Sequence, residues 1–144
     1  MAEIPPLPTE ITLEIVTPDR AIVTERVDEV EIPGAEGNFG VLPGHTPLLA
    51  MLSIGELWYR KGSDKHYLAI AFGFAEVLPD RVTVLAELAE KPEDIDVARA
   101  EAAKRRAEER IAKPTADMDF ERARVALMKA LIRLQVSARA RTRV

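Results

Sequence analysis

The side chains able to do chemistry are few and far apart. The chain has 144 residues, two histidines and no cysteine. His45 and His66 have no second ligand at metal-binding spacing, so no metal site is expected. His45 is expected to pack or hydrogen-bond within its own loop. Glu29 and Glu31 alternate along a strand-like segment and are expected to face solvent. Catalysis needs a positioned nucleophile or an acid–base pair. No such constellation is present, so no catalytic residue is assigned and the chain is not expected to be an enzyme by itself. Gly34-x-x-Gly37-x-x-Gly40 could be mistaken for a phosphate cradle. It lacks the Gly-Lys-Ser/Thr ending, and no helical pattern follows, so a structural turn is expected. Asp96 and Arg99 stand three apart and share a helix face. On spacing alone, an ion pair on a solvated helix is the ordinary arrangement. Arg139, Arg141 and Arg143 have no alternating aromatic residues, so a frayed, solvated tail is expected rather than a nucleic-acid contact.

The elements that carry these residues fall into two halves. The first reads as β. Ile11–Val16 alternates apolar and polar, Thr17-Pro18-Asp19 is a turn, and Val30-Glu31-Ile32 resumes the alternation. Leu57–Arg60 and Lys65–Ile70 flank Lys61–Asp64, a hairpin with a four-residue loop. Phe74–Leu78 and Arg81–Leu85 flank Pro79-Asp80, a second hairpin. The spacing of turn signals predicts about eight to ten short strands in a flattened sandwich or barrel. Between Ile32 and Leu49 lie four glycines and three prolines among apolar residues. Such a run dictates one backbone path; it cannot be a helix and is too apolar for a disordered linker.

The composition switches near Lys91-Pro92. All seven glycines lie at or before Gly73. Residues 93–112 are rich in Ala, Glu, Lys and Arg, strong helix formers, with Glu93 and Asp94 expected in the first turn. Lys113–Ala116 breaks this helix, and Asp117 or Asp119 can cap a second one. Phe120, Ala123, Leu127, Ala130 or Leu131, and Leu134 form its expected apolar stripe. A short loop makes the pair an antiparallel hairpin. The expected domains are therefore a β-sandwich over residues 1–91 and a helical hairpin over residues 92–144. The first helix has few large apolar residues, so alanine must fill its buried face. Alanine buries little area at roughly 25 cal/mol per Å², and the hairpin is expected to open at modest cost.

Charge follows the same division. The net charge of −4 combines −8 over residues 1–92 with +4 over residues 93–144. The basic half is suited to an acidic neighbour or partner. Met1–Thr9 is proline-rich and lacks a basic segment followed by an apolar core, so no signal peptide is expected. No apolar run approaches the roughly 18 residues of a membrane span.

Thr17-Pro18-Asp19-Arg20, Val30–Gly34, Gly37–Pro47 and Gly55-Glu56-Leu57 together resemble the epsilon subunit of bacterial F-type ATP synthase. The resemblance covers nearly the whole chain, and the order of β domain then helical hairpin agrees with it. It implies a non-catalytic subunit of the central stalk of the rotary proton-translocating enzyme. That subunit is peripheral to the cytoplasmic face of the bacterial membrane. Its β domain is implied to bind the gamma subunit and the c-ring. Its hairpin is implied to permit ATP hydrolysis when folded, and to inhibit hydrolysis when extended to the acidic tips of beta subunits.

Some bacterial members bind ATP on the folded hairpin through Ile/Leu-Asp-x-x-Arg-Ala. Ile95-Asp96-Val97-Ala98-Arg99-Ala100 matches this motif in full. The resemblance thus implies a regulatory ATP site, with no cofactor required. Ile95, Asp96, Arg99 and Arg106 would come from the first helix and Lys129 and Arg133 from the second; Glu90 matches the adenine contact. Lys129 stands where ATP-binding relatives carry arginine. It keeps the charge but loses the bidentate fork, so weaker phosphate binding is expected. On residues alone, two other classes remain open: a stand-alone nucleotide-sensing module and a solitary enzyme.

Overall fold

Alternation builds the first strand. In β1 (Ile11–Val16), Ile11, Leu13 and Ile15 are fully buried, with half-buried Thr12 and Glu14 between them. The computed structural model describes residues 3–141. Met1, at the head of the segment read as lacking a signal, and Arg143 of the basic tail lie outside the described residues.

β1 runs antiparallel to β2 (Ala21–Val27) and parallel to β7 (Arg81–Glu90). The turn between β1 and β2 is closed by the Thr17 N–H, which donates to the Arg20 carbonyl at 2.9 Å. With β3 (Glu29–Gly34), β4 (Gly37–Val41), β5 (Leu48–Lys61) and β6 (Asp64–Leu78), the order is β2-β1-β7-β6-β5-β3-β4. Side chains from both ends of this sheet meet in one core, from Leu13, Val23 and Val84 to Val30, Ile32, Val41 and Leu57. β2 also touches β5, although three strands separate them in the sheet. The sheet therefore closes over itself as a flattened sandwich.

The described residues form seven strands, fewer than the eight to ten expected. The difference lies in β5 and β6, 14 and 15 residues long, which pair along nearly their whole length. Each absorbs what the turn signals divided into shorter pieces. Inside β6, Phe72 and Gly73 take positive φ values of 57° and 121° without ending the strand. The ladder keeps its register there, passing from Leu52↔Gly73 to Ile54↔Ala71 with Ser53 and Phe72 unpaired in it. A Cβ on Gly73 would lie 1.9 Å from the Leu85 carbonyl oxygen, so only glycine fits. The first hairpin loop is also shorter than expected. Lys61 pairs with Asp64, leaving only Gly62-Ser63 as the turn. Gly62 takes φ 61° at the first position, as a tight strand-to-strand turn of the II′ kind requires. The Pro79-Asp80 turn stands where expected. The glycine run becomes the β3–β4 hairpin followed by the 42–47 loop, a structural role.

The chain divides into two compact units, Met1–Ala89 and Glu90–Val144. In the second, Pro92–Asp94 form a single 3-10 turn and Ile95 is extended. Helix α1 (Val97–Ala112) starts only after Asp96. Glu93 and Asp94 therefore sit before the helix rather than in its first turn, because the extended Ile95 separates the two segments. The break after α1 runs through residues 113–119, longer than Lys113–Ala116. Helix α2 (Phe120–Arg141) is capped by Asp119, whose carboxylate accepts the Arg122 N–H at 3.1 Å. It continues through Arg139 to Arg141, so these two arginines are helical rather than part of a frayed tail.

α1 and α2 pack on each other. The buried positions are Ala100 and Ala107 on α1 and Ala123, Ala130, Val136 and Ser137 on α2. Ala123, Ala130 and Ser137 repeat every seven residues, as do Ala100 and Ala107. Small side chains at that spacing let two helix backbones approach closely. The expected stripe is corrected accordingly. Phe120 and Leu131 are 51% and 45% exposed, because a close seam has no room for them. The buried Ser137 hydroxyl donates back to the Leu134 carbonyl at 2.8 Å, so it leaves no unmet polar atom.

Candidate functional site

The nucleotide motif lies where α1 begins. Asp96 is the N-cap, with φ −78° and ψ 97°, and its carboxylate accepts the backbone N–H of Arg99 at 3.1 Å. This meets one of the otherwise unsatisfied donors of the first helical turn. The side-chain ion pair expected between Asp96 and Arg99 is absent among the described residues. The aspartate is instead turned onto the backbone. Ile95 is 8% exposed and packs as a buried plug between the 3-10 turn and the helix.

The guanidinium of Arg99 is left exposed, and so is that of Arg106. Among the described residues neither makes a side-chain hydrogen bond or ion pair. On α2, Lys129 and Arg133 are half-buried and one helical turn apart. Arg133 is occupied: its Nε–H donates to Glu90 Oε1 at 2.6 Å. Glu90 is the first residue of the helical unit, and the pair joins that start to a residue 43 positions further on. Of the seven residues assigned from the sequence, the structure joins Glu90 to Arg133 and Asp96 to the Arg99 backbone. Arg106 stands free on the outer part of α1.

The β unit carries a different surface. Leu42, Leu48, Leu49, Met51 and Phe74 are 56%, 42%, 70%, 62% and 48% exposed. Met51 pairs directly with Phe74 across β5 and β6, and Leu49 lies two residues before Met51 on the same face. Beside them, Gly34–Phe39 and Leu48–Met51 line a shallow groove. In the neighbouring residues of β5, Met51 is exposed whereas Ser53 and Ile54 are half-buried. Leu52 is 3% exposed and faces the core, and Ser53 donates to the Pro33 carbonyl at 3.4 Å. Phe39 packs against the core rather than projecting from the loop. Leu48, Leu49 and Phe74 were missed because a strand with apolar side chains on both faces reads as continuously apolar, and the exposed face cannot be told from the buried one.

The remaining candidates are structural. His45 Nδ1 lies 2.6 Å from the Thr46 carbonyl, which can only accept, so that nitrogen carries the proton. Glu29 does not stand free in solvent. It is half-buried and accepts from Arg60 Nε at 3.1 Å, with Asp28 on the same guanidinium at 3.6 Å. Among the described residues no cluster of His, Cys, Asp or Glu could hold a metal ion. No helix of the described residues is long and apolar enough to cross a membrane.

The two units correspond to two known domain families. Residues 10–92 match the ATP synthase delta/epsilon chain β-sandwich domain, and residues 93–138 match its long α-helix domain. ATP synthase epsilon chain 2 of Syntrophotalea carbinolica is 51% identical over 131 residues, covering 90% of this chain and 95% of that one. The epsilon chain of Nitratidesulfovibrio vulgaris is 51% identical over 128 residues, covering 89% and 96%. Among solved structures, a chain of the Euglena gracilis mitochondrial ATP synthase OSCP/F1/c-ring assembly superposes with a TM-score of 0.80. It is 26% identical, covering 93% of this chain and 84% of that one. A chain of the Tetrahymena thermophila mitochondrial central stalk and c-ring shares the fold, with a TM-score of 0.55 at 13% identity. With both domains matched in order and half of all residues shared with bacterial relatives, the chain belongs to the ATP synthase epsilon-chain family and is an epsilon subunit of that enzyme.

Proposed function

We propose that the β unit couples rotation of a c-ring to the catalytic head through a gamma subunit, and that the helical unit regulates ATP hydrolysis. The observation that carries the coupling role is the exposed apolar strip of Leu42, Leu49, Met51 and Phe74 on a unit whose own core is complete. Large apolar side chains grouped on one face mark a protein interface. The solved relatives come from assemblies that include a c-ring. The complex would lie on the cytoplasmic face of the bacterial membrane, with this subunit peripheral to it. The chain performs no catalysis alone, and turnover by the purified chain would overturn that statement.

Regulation rests on the packing of the helical unit. A seam of alanines holds α1 to α2 with little buried area, so separating them is inexpensive. Extended, the basic helices would meet acidic beta-subunit surfaces, a contact that salt should weaken. ATP on Glu90, Asp96, Arg99, Arg106, Lys129 and Arg133 would favour the folded form.

Two measurements test the two parts. In the reconstituted complex, Leu49→Asp should uncouple proton transport from hydrolysis while leaving the isolated chain folded. Normal coupling would remove the apolar strip from the interface. Calorimetric titration of ATP into the isolated chain should show saturable binding that Arg99→Ala abolishes. Absence of binding at millimolar ATP would leave the motif as a helix start only. A stand-alone nucleotide sensor is the alternative, and removal of residues 92–144 separates the two readings. Assembly should survive the truncation if coupling is the main role.

A further inference from the structure

Strands β5 and β6 change faces partway along. On β6, Leu68 and Ile70 belong to the core, and so do Ala75 and Val77. A side-chain period of two would keep the core positions of one strand all even or all odd. β5 breaks the rule in the same way, with Leu57 and Tyr59 in the core on one side of the break and Leu52 on the other. The pairing has not slipped, since Leu57↔Leu68 and Leu52↔Gly73 obey one register. Both strands therefore turn over together, and the ladder position they skip is Ser53 opposite Phe72. Phe72 takes φ 57°, which a bulky residue rarely adopts, and Gly73 follows at 121°. The step is braced against β3. The Ser53 hydroxyl donates to the Pro33 carbonyl at 3.4 Å, and a Cβ on Gly55 would lie 2.6 Å from the Pro33 Cβ. The β3–β5 ladder shifts its own register here, between Glu31 and Gly34.

The consequence falls on the surface. Counted on from Leu68 and Ile70 without the step, Phe74 would face the core and the smaller Ala75 and Val77 would face outward. Counted back from Leu57 and Tyr59, Leu49 and Met51 would face the core as well. In the structure Leu49, Met51 and Phe74 are exposed, while Ala75 and Val77 are fully buried. The centre of the apolar strip thus consists of large side chains that unbroken alternation would bury. A left-handed backbone at a bulky residue persists only where its surroundings impose it, and such residues gather at functional sites. Resting on the coupling role proposed above, we infer that the Ser53–Phe72 step is a face switch that builds the contact strip, and that Phe72 is a positioning residue for the coupling contact. It acts through its backbone. The left-handed φ, rather than the ring, turns Met51 and Phe74 outward.

Substitution at Phe72 separates backbone from ring. Phe72→Gly and Phe72→Asn remove the ring but keep access to the left-handed region. Phe72→Ile keeps the apolar bulk and is disfavoured in that region by about tenfold. The chain has no cysteine, so Met51→Cys supplies a single thiol whose labelling rate in the isolated full chain reports exposure of the strip. Phe72→Gly and Phe72→Asn are expected to label as fast as the Phe72 background, and Phe72→Ile up to about tenfold more slowly. In the reconstituted complex, with Met51 restored, proton-coupled hydrolysis should follow the same order. A ring that acts by packing predicts the reverse order. That reversal, or equal labelling in every background, would overturn the switch. If Phe72→Ile does not fold, the other two variants decide: a strip kept without the ring supports the switch, and a strip lost overturns it. Normal coupling by Leu49→Asp, alongside the expected labelling order, would overturn the coupling role of Phe72 with the reading it rests on and leave the face switch standing.

Discussion

The two units of this chain are held together by opposite means. The β unit buries Ile11, Leu13, Ile15, Leu57, Leu68 and Ile70 completely. Each such side chain contributes roughly 1.5–3 kcal/mol on burial. The helical unit buries alanines, Ser137 and one valine, Val136, between its helices and leaves Phe120 and Leu131 exposed. One unit has a large-side-chain core; the other packs mainly through small side chains, which suits the opening proposed for it. Under the proposed function these properties belong on separate elements, because a rigid contact surface and a movable arm would make contradictory demands on packing. The comparison also explains the glycines. All seven stand in the β unit, where long strands must turn corners at close quarters.

The contrast breaks most visibly at Gly73. Gly73→Ala would drive a methyl group into the Leu85 carbonyl at a backbone angle that alanine avoids. Overpacking and strain together should cost more than about 3 kcal/mol. Denaturant unfolding should show this loss in the β unit, with helical hydrogen exchange unchanged. A variant of ordinary stability would mean that β6 bends by some other means. Next in size is the seam. Ala130→Leu forces a large side chain between α1 and α2 and should cost about 1–3 kcal/mol in the helical unit alone. Faster exchange confined to residues of α1 and α2 is the expected result. Equal acceleration in the β strands would show that the units do not open independently.

Much of this division was legible in the sequence, and the rest was hidden for physical reasons. β1 and the Pro79-Asp80 turn could be read because alternation and turn chemistry are local. The length of β5 and β6 could not, because it depends on each strand finding its partner across 13 paired positions. Heptad spacing in α2 was visible, but which of the neighbouring residues formed the seam depended on the alanines of α1. Asp96 could be singled out by its motif. Its work at the helix start appears only once the extended Ile95 is seen to divide the 3-10 turn from α1. The Glu90–Arg133 bond could not be derived from spacing at all, since 43 residues separate the partners.

A smaller change sharpens the role of Asp96. Asp96→Ala removes the cap from α1 and should cost about 1 kcal/mol, whether or not a nucleotide ever binds. Asp96→Asn retains a capping oxygen and should restore most of that stability. If both variants lose ATP binding but only the alanine loses helix stability, the aspartate charge serves the ligand as well as the backbone. If binding tracks helix stability alone, the motif's aspartate acts only by starting the helix.

The smallest expected effect is a pH dependence at the other end of the arm. Glu121 in the first turn of α2 accepts two hydrogen bonds from Arg124, at 3.1 and 3.0 Å. The hydrogen bonds first, and the arginine charge second, hold its carboxyl below the usual glutamate value. A carboxylate at a helix N-terminus also complements the helix dipole. Because the folded-state value is the lower one, the pair contributes stability above the unfolded glutamate pKa of roughly 4.3. That contribution fades as pH falls through the folded-state value. Helical ellipticity followed from about pH 5 to about pH 2 should therefore show a shallow loss that Glu121→Gln lacks. The pair is exposed, so its contribution should also shrink in high salt. A pH response that is identical in Glu121→Gln would place the acid sensitivity of the arm elsewhere and leave Asp119 as the device that starts α2.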